Sequence, residues 1–145
     1  MPTKRDNPYA NFNFLVELGG ETAAGFAEVD LGGARIDVIE YREGADRVNA
    51  TRKLPGHAHY ANVVLRRGIT GDSTLWRWFD EVRDGNVSRR DVAVVLLDES
   101  RQPVVRWTLQ NAFPVKWEGP DLNAKGNEAA IETLELAVER IDLDE

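Results

Sequence analysis

The segment RKLPGHAHYANVVLRRGITGDSTLWRWF, residues 52–79, changes its hydrophobic period partway along. In AHYANVVLRR, Ala61, Val63 and Leu65 share one face while Tyr60, Asn62 and Val64 share the other, the two-residue repeat of a strand. Gly68 and Gly71 bracket a turn, and beyond it Leu75, Trp76, Trp78, Phe79 and Val82 fall within one arc of a helical wheel. Arg77, Asp80, Glu81 and Asp84 occupy the opposite arc. The spacing predicts an α-helix over about 72–84, started by Asp72 or Ser73 and ended by Gly85. Upstream, Pro55-Gly56 reads as a turn.

Working outward, strand signals dominate. NFNFLVEL alternates Phe12, Phe14, Val16 and Leu18 with mostly polar neighbours, Gly19-Gly20 suits a hairpin turn, and TAAGFAEVDL can return as a second strand. ARIDVIEY is a third, and the stretch from Arg42 to Gly56 has no clean period, so a long extended loop is expected there. SRRDVAVVLLDES and QPVVRWTLQNAFPVKW, rich in valine and aromatics, read as a hairpin. EAAIETLELAVERIDL stays ambiguous: Leu134, Leu136 and Val138 alternate as in a strand, yet Ile131, Leu134, Val138 and Ile141 also fit a helical stripe. About seven or eight strands and one helix in 145 residues predict a mainly β domain over 1–145, a barrel or sandwich of two packed antiparallel sheets.

Composition narrows the chemistry. Without cysteine, disulfides, thiolate metal sites and cysteine catalysis are excluded. No apolar run reaches bilayer length and MPTKRDNPYANF lacks a signal-peptide core, so no membrane anchor and a cytoplasmic origin are expected. The net charge of −7 is unevenly spread: residues 128–145 hold seven acids against Arg140 alone, whereas residues 42–67 hold six bases against two acids. A solvated surface would explain this; so would opposite patches that meet head to tail between copies.

Motifs for catalysis are absent. His57 and His59 form an H-x-H pair with no third histidine or cysteine to complete a metal site, and no G-x-S-x-G elbow accompanies them. LGGETAAG and LGGARI lack the phosphate-loop lysine and the G-x-G-x-x-G spacing. Paired carboxylates such as Glu132 and Glu135 carry no specific signal. Arg52, Arg66, Arg67, Arg89, Arg90 and Arg106, with four tryptophans, raise single-stranded nucleic acid as a ligand, but the acidic balance and the core-facing aromatics of the helix argue against it. No catalytic residue, cofactor or metal ligand is assigned, and no enzymatic activity is expected.

Several blocks together carry a resemblance. EYREG (40–44), KLPGHAHYANVVLRRGIT (53–70), LWRWF (75–79) and WTLQNAFPVKWEGPDLNAKGNEAAIETLELAVE (107–139) resemble, in order and over nearly the whole chain, the tail tube family of contractile phages and related extracellular contractile injection systems. The most specific blocks are K-L-P-G…Y-x-N-V-x-L-R-R-G-I and W-x-L-x-N-A-[FW]-P-V-K…G-P-x-L-N-A-x-G-N-E. The resemblance implies a β-barrel-like fold with one flanking helix and a final segment that is a strand. It also implies homo-hexameric rings stacked into a hollow tube, which a contracting sheath drives through a target envelope with DNA or protein cargo. Sheath protein, baseplate or spike, and tube-terminating proteins would be partners, and the protein would pass from the cytoplasm into a phage tail or released particle.

On this reading the segment 42–56 is the arm that reaches a neighbouring subunit and stacks rings, with Arg42, Glu43, Arg47, Arg52, Lys53, Leu54, Pro55 and Gly56 as its contact residues. Glu132, Glu135 and Glu139 would form an acidic complementary face. Two alternatives come from other classes. One is a monomeric β-barrel that binds a small apolar ligand in its mouth, and the other is an enzyme on a split barrel using His57 or His59.

Overall fold

The computed structural model describes residues 8–10, 13–23, 25–42, 44 and 51–144. Strand β1 (Phe14–Leu18) buries Val16 and Leu18 and turns at Gly19-Gly20, whose φ values of 63° and 92° suit glycine, before returning as β2 (Glu21–Ala23). Phe12 lies outside the described residues. The single return strand expected over 22–31 is two: Gly25 breaks it, and β3 (Phe26–Asp30) pairs elsewhere. Next come β4 (Ala34–Tyr41), β5 (Arg52–Tyr60), β6 (Val63–Gly68), α1 (Thr74–Arg83), β7 (Arg90–Leu97), β8 (Pro103–Glu118), β9 (Ile131–Ala137) and β10 (Arg140–Asp144).

Eight strands form an antiparallel sheet in the order β2-β1-β7-β8-β9-β6-β3, with β10 also on β8; β4 and β5 form a separate two-stranded sheet. The large sheet folds over at β8. Residues of β8 up to Ala112 pair with β7 and β10, and those from Phe113 pair with β9. Asn111 makes the bend, with φ at 54°, its N–H donating to Asp91 Oδ1 at 3.0 Å and its Nδ2 donating to Glu139 Oε2 at 2.8 Å. Asparagine tolerates this left-handed geometry better than most side chains. The partner ribbon bends with it: Pro114 faces Leu136 and Gln110 faces Arg140, so register is kept across the gap between β9 and β10. The ambiguous C-terminal segment is therefore two strands.

The two leaves and α1 enclose one core that includes Val16, Val63, Leu65, Leu75, Trp78, Leu109, Leu134 and Leu136. Edge strands β2 and β3 are not paired with each other, so the sheet is barrel-like without closing. The helix follows its expected apolar arc: Leu75 and Trp78 are buried, and Trp76 meets Trp117 edge-on at 4.8 Å. Trp78 Nε1 donates to the Ser88 carbonyl at 2.7 Å, which satisfies its one polar group. At the start, Asp72 rather than Ser73 supplies the side-chain acceptor, taking the Thr74 N–H at 3.0 Å. At the end, Gly85 (φ 92°) and Asn86 donate back to the Val82 and Glu81 carbonyls, a Schellman termination.

On the outer face of the β1-β7-β8 leaf, Arg106 donates to both Glu17 oxygens at 2.7 and 3.3 Å. The hydrogen bond from Arg106, more than its charge, holds the Glu17 carboxyl below its ordinary value of 4.5. A depressed folded-state value means that the contribution is complete above the unfolded value and is lost as pH falls through the folded one. Glu17→Gln is therefore expected to lower unfolding stability at neutral pH and to differ less and less from wild type as pH drops below 4.5. Urea unfolding across that acid range checks it; a gap that does not narrow overturns it.

Candidate assembly interface

The β3–β6 ribbon continues outward as the β4–β5 hairpin. Register runs on from Asp30 opposite Val64 to Ala34 opposite Tyr60, with a kink between. Gly32 occupies the kink at φ 70°, where an added Cβ would lie 2.8 Å from the Asn62 carbonyl oxygen. Ala61 N–H donates to the Gly33 carbonyl at 2.8 Å and closes the far side. The segment 58–67 is thus two strands, β5 and β6, and not one continuous strand. Its alternation survives because the pleat resumes after the kink, with Val63 and Leu65 buried.

The arm makes few contacts with the rest of the domain. Its two faces can be read from the register. Ile36 and Val38 share one face with Ala58 and Pro55, and both are 61% exposed. Ile39 and Leu54 form a cross-strand pair on the other face, followed by Tyr41, all about half exposed. Arg35, Asp37 and His59 make the base of that second face polar, with His59 Nε2 2.6 Å from Asp37 Oδ2. A two-stranded ribbon with apolar side chains on both faces is marginal in water and calls for cover on each side.

The contact residues expected over 42–56 divide between the arm's end and its second strand. Arg52, Lys53, Leu54, Pro55 and Gly56 begin β5, so the extended loop is shorter than its sequence suggested. Pro55-Gly56 is no turn. It sits at a bulge, where Val38 faces Pro55 and Ile36 faces Ala58; a Cβ on Gly56 would crowd the Asp37 carbonyl oxygen at 3.1 Å. Arg42 is exposed just past β4, while Glu43 and Arg47 lie outside the described residues. Arg52 and Lys53 are exposed and form no ion pair among the described residues.

The three glutamates of the expected acidic face do not share one. In β9, Glu132 points inward with Leu134 and Leu136, whereas Glu135 points outward. Glu132 is 5% exposed and accepts from Arg67 Nε at 3.0 Å and from Trp117 Nε1 at 3.2 Å. Arg67, 2% exposed, also donates to the Asp72 carbonyl at 2.9 Å and lies over the Phe26 ring. This buried group joins β3, β6, β8, β9 and the approach to α1. Two separate strand alternations, Arg67 in phase with Val63 and Leu65 and Glu132 in phase with Leu134 and Leu136, were the signal that places it inside. Glu135 accepts from Asn62 Nδ2 at 3.0 Å beside the arm's base, and Glu139 pairs with Arg89 at 2.5 Å.

The arginines considered for nucleic acid are mostly matched within the chain. Arg66 meets Glu28, Arg89 meets Glu139 and lies over Phe113, Arg90 lies over Trp78, and Arg106 meets Glu17. Among the described residues, no group of three or more histidines and carboxylates is placed to hold a metal. An open groove of about 620 Å³, part apolar and part polar, is lined by Phe14, Val94, Leu96 and Trp107 of the first leaf, by Phe26 and Val29 of β3, and by Tyr9 and Glu28.

The family model for the T4-like virus tail tube protein gp19 matches residues 10–142. Among solved structures, a chain of the sheath-tube complex of PVC, an extracellular contractile injection system in its extended state, is 27% identical with a TM-score of 0.83, covering 94% of this chain and 91% of that one. A chain of the anti-feeding prophage tube-terminating cap is 26% identical with a TM-score of 0.85, covering 99% and 95%. One from the anti-feeding prophage baseplate is 29% identical with a TM-score of 0.78, covering 97% of each chain. Among curated proteins none matches by sequence. The match spans both leaves, the arm and the helix, and this chain belongs to the T4-like virus tail tube protein gp19 family.

Proposed function

We propose that the chain is the inner-tube subunit of a contractile injection machine, forming homo-hexameric rings that stack into a hollow tube and conduct DNA or protein cargo. The observation that carries this reading is the arm: an exposed ribbon, apolar on both faces, projecting from a domain of the tail tube family. Sheath, baseplate and tube-terminating proteins are the proposed partners, in keeping with the assemblies in which similar chains occur. The particle would assemble in the cytoplasm.

Magnitudes assign the roles. Covering one Val, Leu or Ile contributes about 1.5–3 kcal/mol, while an exposed ion pair contributes roughly 0–1 kcal/mol. Association costs on the order of 4–15 kcal/mol. Apolar arm contacts therefore supply the affinity, and Arg42, Arg52 and Lys53, with Glu135 and Glu139 as candidate acidic counterparts, supply register. Electron microscopy of the concentrated protein tests the reading: rings of one diameter, alone or stacked into rods, are expected, and compact monomers at every concentration overturn it. Arg52→Glu with Lys53→Glu is expected to shorten the rods while leaving the unfolding midpoint close to wild type. Unchanged rod length removes the stacking role from these two residues.

A further inference from the structure

We propose that Gly32, Asn62 and Glu135 are positioning residues that fix the direction in which the β4–β5 arm leaves the domain. The geometry of the kink carries this by itself; the ring reading above supplies only the purpose that a fixed direction serves.

Between the Asp30–Val64 and Ala34–Tyr60 pairs, residues 31–33 and 61–63 span the turn, so neither strand gains or loses a residue. The bend therefore comes from backbone geometry and not from a bulge. Gly32 holds φ at 70° and donates its N–H to Asp30 Oδ1 at 2.9 Å. Its Cα lies against the facing strand: a Cβ there would sit 2.8 Å from the Asn62 carbonyl oxygen and 3.0 Å from Ala61 Cβ. A Cβ on Gly33 would meet nothing within 4 Å. One glycine of the pair sets the bend and the other does not.

Hydrogen bonds inside the ribbon fix the bend but not the ribbon's orientation against the leaf. Those from Gly32 to Asp30 and from Ala61 to Gly33 both stay within it. Asn62 reaches out of it: Nδ2 donates at 3.0 Å to Glu135 Oε2 on β9, the strand beyond β6. The charged acceptor makes this bond stronger than one between neutral groups. Among the described strands, β4 and β5 pair only with each other, so the arm's direction is set at its root. Leverage magnifies any error there. The eight residues of β4 span roughly 26 Å. A swing of about 20° would carry the far end roughly 9 Å, nearly twice the about 4.8 Å between neighbouring strands.

A chain without cysteine allows a direct test. Nitroxides on Ile39→Cys, near the outer end of β4, and on Leu143→Cys, in β10, occupy exposed sites on the arm and the body. Pulsed electron spin resonance on the dilute free chain is expected to give one narrow distance distribution. Asn62→Ala should broaden it at least about twofold, since a ribbon held by fewer contacts opens locally. Gly32→Ala should displace its centre, because the new Cβ must push the Asn62 carbonyl away. Glu135→Gln, which keeps an acceptor for Asn62, and Gly33→Ala should both match wild type. Asn62 is exposed, so the unfolding midpoint of Asn62→Ala stays close to wild type. On the ring reading, Asn62→Ala should also raise the concentration at which rings form by about fivefold or more, because a wandering segment must be ordered on binding.

An Asn62→Ala distribution as narrow as wild type, or a Gly33→Ala displacement as large as that of Gly32→Ala, overturns the assignment. A broadened arm with an unchanged ring threshold overturns its role in assembly. A broadened arm in a chain that forms no rings at any concentration supports the positioning residues and counts against the ring.

Discussion

Val38→Asp combined with Leu54→Asp is expected to abolish rings and rods at concentrations where wild type forms them, while the isolated chain stays folded. The two positions lie on opposite faces of the arm, at 61% and 47% exposure in the free chain. Surface substitutions of this kind change folding stability by about 0.5 kcal/mol or less. In an assembly, each aspartate would have to give up its water in an apolar contact, which costs several kcal/mol per ion, and the contact would also lose what covering the half-exposed side chain contributed, roughly half of the about 1.5–3 kcal/mol for full burial. Repeated around a ring and between rings, those losses exceed what screened charges could restore. Sedimentation velocity and electron microscopy on one preparation, with urea unfolding alongside, separate the two effects. Rods of normal length from the double variant would remove the arm from assembly.

Arg67→Met is expected to destabilise the fold itself, by about 3–5 kcal/mol, because it leaves the Glu132 carboxylate buried without its cation. Among the described residues Glu132 then keeps only Trp117 Nε1 as a side-chain donor, and Asp72 loses its tie to the β6 strand. Arg67→Met with Glu132→Leu is expected to recover at least half of the loss, since a buried pair replaced by apolar side chains of similar volume is often near neutral. Recovery stops short of wild type: the Trp117 N–H then lacks its acceptor, a cost of about 1–3 kcal/mol. Urea unfolding of the three proteins decides it. A single variant within about 1 kcal/mol of wild type, or a double variant no better than the single, would show that the pair is not what holds β6, β9 and the helix approach together.

These predictions divide along the line between local and long-range information. The β7–β8 hairpin, the Gly19-Gly20 turn and the amphipathic helix were legible in the sequence, because alternation, turn residues and the 3.6-residue arc are properties of neighbouring residues. So was the absence of any cysteine chemistry. The motif blocks from Lys53 to Thr70 and from Trp107 to Glu139 pointed to the family that the match over residues 10–142 establishes.

Where strands break and what they pair with was decided by tertiary structure. Nothing local distinguishes one strand over 58–67 from two, because the kink at Gly32 and Ala61-Asn62 keeps the pleat in phase on both sides. The C-terminal segment fitted two periods until β8, bent at Asn111, supplied the long partner that makes it β9 and β10. Glu132 reads in the chain as one more acid of an acidic tail, yet it is buried, since Arg67, sixty-five positions away, meets it across the β6–β9 ladder. Sequence determined which residues alternate and which turn; burial of a charge depends on the partner opposite it, and only the pairing of distant strands supplies that partner.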